Sequence, residues 1–172
     1  MRIGVGLGIA LSIAAAPLWA GAAGAAPIQV TSSAFKSGDH LPSRYARRSG
    51  NVSPPLTWTP VAGARAFALI VDDPDAPGPR PFVHWLAWNI PAGVILEGHA
   101  PAGASQGRND FGDVAYDGPQ PPSGTHHYHF RVFALDAPLS LAAGADRDAL
   151  ATAMRGHVIA SGETVGLYAA RR

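Results

Sequence analysis

Residues 67–71 and 82–90 form two apolar runs, and the loop between them holds three carboxylates (Asp72, Asp73, Asp75) and four prolines (Pro74, Pro77, Pro79, Pro81). Short runs rich in β-branched and aromatic residues, bounded by Pro and Gly, read as strands. Each proline fixes its own φ and restricts the residue before it. Such a loop costs less entropy to hold in one geometry than a flexible one. The unit therefore reads as strand, stiff loop and returning strand, with charge concentrated where the first strand ends.

Side chains alternate along a strand with a period of two. On the first strand Phe67, Leu69, Val71 and Asp73 share a face, which puts Asp73 at the rim of the core. Asp72 points the other way and is expected to be structural. On the returning strand the same rule groups Phe82, His84, Leu86 and Trp88. A lone histidine among apolar neighbours is ordinarily a satisfied core residue, so His84 is a candidate only in company. That company is the segment beginning at Thr125, where His126, Tyr128, Phe130, Val132 and Ala134 share one face and His127, His129 and Arg131 the other. His126 and Tyr128 thus stand together where a buried strand leaves a rigid loop, as Asp73 does.

Other segments are less constrained. Residues 27–35 read as a first strand, followed by a turn in which His40 is solvated. Arg44, Arg47 and Arg48 read as a solvated loop rather than an anion site. Leu56 and Trp58 share parity and point inward, after a Pro pair that a central strand would not tolerate. Residues 92–124 lack apolar periodicity, but Phe111 and Tyr116 argue for a loop packed on the domain rather than a linker. Residues 146–156 carry apolar side chains at helical spacing, with Asp146 at the start and Gly156 at the end. Residues 165–170 read as a closing strand.

Residues 1–26 are expected to be a cleaved secretory leader: one Arg, a short apolar core, then small residues with cleavage after Ala22 or Ala25. The mature domain is then residues 27–172, a single domain without an integral membrane span. The chain has no Cys, so neither acylation nor disulfides are available. Without Arg2, the 13 basic residues fall to 12 and equal the 12 acidic ones. A neutral domain has no field suited to nucleic-acid binding. Periplasmic or secreted localisation follows from the leader.

The ordered set Asn51-x-Ser-Pro-Pro-Leu-x-Trp, Asp72-Asp-Pro-Asp-Ala-Pro, Phe82-x-His-Trp, Asn89-Ile-Pro, Asn109-Asp-Phe-Gly, Tyr116-x-Gly-Pro and Pro121-Pro-x-Gly-x-His-x-Tyr resembles the phosphatidylethanolamine-binding protein (PEBP) family, in particular its bacterial Raf-kinase-inhibitor-like branch. The resemblance spans nearly all of residues 27–172. It implies a mainly β fold in which a large antiparallel Greek-key sheet packs with a smaller sheet and few short helices. It also implies a small pocket for phosphate-like anions, including a phospholipid head group. By motif position that pocket uses Asp73, His84, His126 and Tyr128, with Asp75 in support and Gln120 and Pro121 at the mouth. Two positions depart from the family's common pattern: His127 stands where Arg is common, and Gln120 where the bacterial branch often has Cys.

An anion pocket holding an aspartate works through protonation, because Asp73 beside an imidazole favours the imidazolium. Affinity is then expected to rise as pH falls, with no cofactor and no metal. The alternative is a metal-dependent hydrolase using the same carboxylates and histidines, since O and N donors suit Zn or Mn. Against it, no known zinc-ligand spacing and no nucleophile elbow is present, so a binding protein is preferred to an enzyme. A small anion is the expected partner, with a protein partner as a further expectation.

Overall fold

The computed structural model describes residues 27–91 and 93–170, so the expected leader lies outside the described residues. In chain order the elements are β1 (Val30–Thr31), β2 (Leu56–Trp58), β3 (Ala66–Asp73), β4 (Phe82–Ile90), β5 (Val94–Ile95), β6 (Ser105–Gln106), β7 (Thr125–Leu135), α1 (Arg147–Met154) and β8 (Val158–Ala169). Five strands form one sheet in the order β6-β4-β3-β7-β8, and three form a second in the order β1-β2-β5. All the strand pairings are antiparallel. β3, β4 and β6 follow one another across the large sheet, and β7 then returns by a long connection to lie beside β3. That is the Greek-key order expected of the fold.

The large sheet is covered on both sides, so every residue of β3 is buried. On one face Leu69, Val71, Phe130 and Val132 meet Val30, Leu56, Trp58 and Ile95 of the small sheet. On the other, Ala68, Ile70, Leu86 and Trp88 meet Leu150 and Met154 of α1. Helix α1 starts where expected: Asp146 caps it by accepting from the Ala149 N–H at 2.9 Å.

Four expectations need correction. The closing strand begins at Val158 rather than at residue 165 and pairs along β7. Its first half was obscured by Gly162, which the fold requires because a Cβ there would collide with the Ile28 carbonyl oxygen. The first strand shrinks to Val30–Thr31, although Ile28 still donates to the Ser161 carbonyl at 3.0 Å. Residues 92–124 contain two short strands, β5 and β6, and otherwise pack as a loop against the sheet.

The correction with most consequence lies in β4. Val71 pairs with Trp85, but the next residue, Asp72, pairs with Val83. His84 is therefore the extra residue of a β-bulge, and bulges re-aim side chains. Phe82 and His84 face the same side as Val71. After the bulge the parity inverts, and Leu86 and Trp88 turn to the helix side. A second irregularity lies opposite Phe67 and Leu69, where Asn89 takes φ 59° and restores Ile90 to the first core. Asn89 also brackets Leu139, accepting from its N–H at 2.7 Å and donating to its carbonyl at 3.0 Å.

Gly162→Ala should test the close packing of β8 on residue 28. The overpacked backbone contact should lower stability by about 1–3 kcal/mol. Urea unfolding should show a lower midpoint at unchanged slope.

Candidate functional site

Three strands deliver the site. The side chain of Asp73 ends β3, His84 bulges from β4, and His126 and Tyr128 enter on β7. The Asp73 carboxyl is engaged at both oxygens: Oδ2 lies 2.7 Å from His126 Nδ1, and Oδ1 accepts from the Asp75 N–H at 2.9 Å. The second contact is an Asx turn, in which a carboxylate binds the main chain two residues on. Asp73 and His126 are both buried. The contact fixes His126 with Nδ1 toward the acid and leaves Nε2 for another partner.

His84 is held by a different loop. Its Nδ1 donates to the Asp117 carbonyl at 2.7 Å, since a carbonyl can only accept, and the Asp117 N–H donates back to the His84 carbonyl at 3.0 Å. The ring lies edge-on to Tyr128, with centroids 5.1 Å apart, and to Phe111, at 5.4 Å. Burial pushes the imidazole below its ordinary pKa; the Asp117 carbonyl and the nearby Asp73 carboxylate oppose that shift without overcoming it. His84 is therefore neutral in the free protein near pH 7. The imidazolium expected of both histidines does not apply to it before a ligand arrives.

Tyr128 is fully buried, and among the described residues its hydroxyl has no hydrogen-bond partner. Burial and the Asp73 carboxylate raise its pKa strongly, while the Gln120 main chain pulls the other way. Gln120 and Asp73 thus act on the phenol through space without meeting hydrogen-bond geometry. Asp73, His84, His126 and Tyr128 are brought together by these contacts. Gln120 contributes its main chain to this group, and Pro121 follows it at the edge of a neighbouring recess.

Asp75 and His127 are tied in a way that alternation did not foresee. The Asp75 Oδ2 accepts from the His127 N–H at 2.8 Å and lies 2.7 Å from its Nδ1. Those hydrogen bonds hold the Asp75 carboxyl below its ordinary value. His127 does face away from the core, yet it grips the loop that carries Asp73.

Sequence reasoning missed the organiser of the second loop, Asp117. Its Oδ1 accepts from Arg47 Nε at 3.0 Å and Asn51 Nδ2 at 3.1 Å, and its Oδ2 from Asn109 Nδ2 at 2.9 Å. Burial alone would raise this carboxyl, but those hydrogen bonds hold it lower than usual. Asn109 also makes an Asx turn, its Oδ1 accepting from the N–H groups of Phe111 and Asp113, both at 3.0 Å. The Arg47 guanidinium lies 4.1 Å over the Phe111 ring. Gly118 allows close approach: a Cβ there would strike the Tyr45 carbonyl oxygen. Asn51 and Asn109 stood in the recognised motifs, but a Gly- and Pro-rich loop has no periodicity from which to read their partner.

Comparison with known proteins gives a consistent result. The phosphatidylethanolamine-binding protein family profile matches residues 31–169. A UPF0098 protein of Pyrococcus abyssi is 45% identical over 148 residues, covering 80% of this chain and 83% of that one. A Mycobacterium tuberculosis protein named as a candidate lipoprotein, LppC, is 42% identical over 125 residues, covering 70% of this chain and 62% of that one. Among solved structures, the PEBP homolog CT736 from Chlamydia trachomatis superposes with a TM-score of 0.80 at 35% identity, covering 84% of this chain and 99% of that one. YbcL of E. coli, described as a member of the mammalian PEBP family, gives 0.79 at 34% identity, covering 85% and 100%.

The lowered pKa of His84 makes a stability prediction. The unfolded chain binds its proton near pH ~6.5, above the folded value, so the unfolded state gains protons first as pH falls. The contribution of neutral His84 is complete above that pH. It should be lost as pH falls from there toward the lower folded value. His84→Gln keeps an amide donor for the Asp117 carbonyl but cannot titrate. The difference in unfolding free energy between the two proteins should therefore change with pH below about 6.5 and be flat above it. A flat difference throughout would show that His84 titrates normally.

Proposed function

The chain belongs to the phosphatidylethanolamine-binding protein family, and on that premise we propose that it is an exported receptor for phosphate-like anions, including phosphorylated head groups. The ligand is taken up by His84, His126 and Tyr128 around Asp73, with Asp75 supporting the loop and Gln120 and Pro121 at the mouth. The observation that carries this reading is the Tyr128 hydroxyl, fully buried beside two histidines and unpartnered among the described residues. A buried donor without an acceptor costs free energy, and a phosphate oxygen supplies the acceptor.

The charge balance then follows. Asp73 repels an anion, so the site needs positive charge from its imidazoles. His126 has Nδ1 committed to Asp73 and His84 has Nδ1 committed to the Asp117 carbonyl. Each can meet an anion only through Nε2, and only when that nitrogen carries a proton. Binding a fully ionised anion should therefore draw protons from solvent and strengthen as pH falls.

The metal-hydrolase reading gains less support. Both oxygens of Asp73 and the Nδ1 atoms of both histidines are already engaged. Among the described residues no group of three or more His, Cys, Asp or Glu side chains is arranged to hold a metal ion. Export rests on the leader-like residues 1–26 and on the resemblance to a candidate lipoprotein, although this chain has no Cys to acylate.

Sulfate titration calorimetry tests the proposal, because sulfate stays fully ionised across the range. Affinity should be greater at pH ~5.5 than at ~7.5, on either side of the ordinary histidine pKa. His84→Gln and His126→Gln should each weaken binding at the lower pH by about 1.5–3 kcal/mol, the range for a hydrogen bond to a charged group, and flatten the pH dependence. His129→Gln is the control, since its ring faces Glu163 on the other side of β7. PH-independent affinity would remove the imidazolium mechanism; no sulfate binding at any pH would remove the proposal.

A further inference from the structure

Beside the pocket lies a recess of about 80 Å³ lined by Arg48, Ser49, Gln120, Pro121 and Tyr168, among others. It shares Gln120 and Pro121 with the mouth of the pocket. Tyr168 is the β8 residue directly opposite His126 in the β7–β8 register. Facing residues of an antiparallel pair project to the same side of the sheet. The recess and the pocket are therefore neighbours, separated by about one strand spacing, ~5 Å.

The chemistry of this lining is one-sided. Three arginines cluster in residues 44–48, and two are neutralised: Arg44 pairs with Glu97 at 2.6 Å, and Arg47 with Asp117 at 3.0 Å. Arg48 has no carboxylate partner among the described residues. Its guanidinium meets only the neutral Gln120 amide, which, turned with its oxygen toward Arg48, accepts from Nη2 at 3.0 Å and Nε at 3.2 Å. Those contacts leave Nη1 of the planar donor fork free. The Ser49 and Tyr168 hydroxyls likewise make no hydrogen bond within the described residues. An unneutralised guanidinium and two hydroxyl donors thus line a recess to which no carboxylate of the described residues contributes.

We infer that this recess is a second anion subsite, and that Arg48 selects ligands carrying two anionic groups, a phosphate-like group for the pocket and a carboxylate or second phosphate for Arg48. The inference rests on the anion-binding reading of the pocket and adds the ligand class. Arginine suits the role, because its fork matches the oxygens of a carboxylate or phosphate. The position at the rim also suits it: an exposed guanidinium discriminates between ligands without the desolvation cost of a buried charge.

The test compares two probes that differ in one group. Glycerol 3-phosphate carries a single phosphate; 3-phosphoglycerate has the same spacer with a carboxylate at its far end. Calorimetry at one pH and one ionic strength should show the protein binding 3-phosphoglycerate about tenfold more tightly, the effect of one charge-assisted hydrogen bond. Arg48→Gln should remove that preference and leave glycerol 3-phosphate affinity within about twofold, a few tenths of a kcal/mol. The side chain is exposed, so the variant should fold. A preference that survives in Arg48→Gln, or is absent from the unsubstituted protein while glycerol 3-phosphate still binds, overturns the subsite alone. Failure of both probes to bind overturns the pocket reading and the subsite with it.

Discussion

The hydrogen bond from His84 Nδ1 to the Asp117 carbonyl, 2.7 Å long, joins the central sheet to the irregular loop of residues 107–124. On the sheet side it commits one nitrogen of a bulged histidine and fixes which nitrogen remains. On the loop side it anchors a residue whose carboxyl gathers Arg47, Asn51 and Asn109. Gly118, Pro119, Gln120 and Pro121 follow directly, so the mouth of the pocket is positioned through the same contact. A loop of this length pays a large ordering entropy. It is met here by a buried carboxylate with several donors rather than by secondary structure. The bulged histidine and the placement of Gln120 meet at this one junction.

β3 shows how two adjacent acids reach opposite fates. Asp73 faces the pocket, while Asp72 faces the helix side with none of its surface exposed. Burial raises the Asp72 pKa, and the Arg131 and Arg147 guanidiniums, 3.2 and 3.4 Å away, oppose the shift. The pairing ties β3 to β7 and to the start of α1, which also holds Pro81 through Arg147. The structural role expected of Asp72 is thus filled from beneath the sheet. The stiff acidic loop is anchored on the helix side by Arg147, on the pocket side by His126, and along the strand edge by His127.

Alternation made much of this legible. Along β3 and β7 it assigned Asp73, His126 and Tyr128 to one face and Asp72, His127, His129 and Arg131 to the other, as the two cores show. The same rule failed on β4, because one inserted residue inverts every later side chain and a bulge leaves no mark in an apolar run. His84 was still identified, through the motif around it, but Leu86 and Trp88 were assigned to the wrong core. Loop residues failed for another reason: Asp117 is defined by donors drawn from residues 47, 51 and 109, which no local spacing brings together. His127 lies on the face that alternation gave it, but alternation carries no sign of its grip on Asp75, which runs along the strand edge rather than through the core.

A pocket that holds an aspartate and a neutral histidine is poorly suited to an anion only if its charge is taken as fixed. Asp73 spends its oxygens on His126 and on the Asp75 N–H, so its negative charge is directed into the protein. The two Nε2 atoms are left uncommitted by these contacts, and Tyr128 keeps a donor that nothing in the described structure uses. An arriving anion lowers the cost of protonating each imidazole, and each proton gained cancels repulsion from Asp73. On the proposed reading the site acquires its positive charge together with the ligand. A permanently charged Arg or Lys in place of either histidine would form a lasting pair with Asp73 and give up that response to pH. Arg48 lies outside the pocket and is free of any carboxylate partner among the described residues. On the proposed reading the pocket and its rim divide the work, one responding to acidity and the other to the number of charges on the ligand.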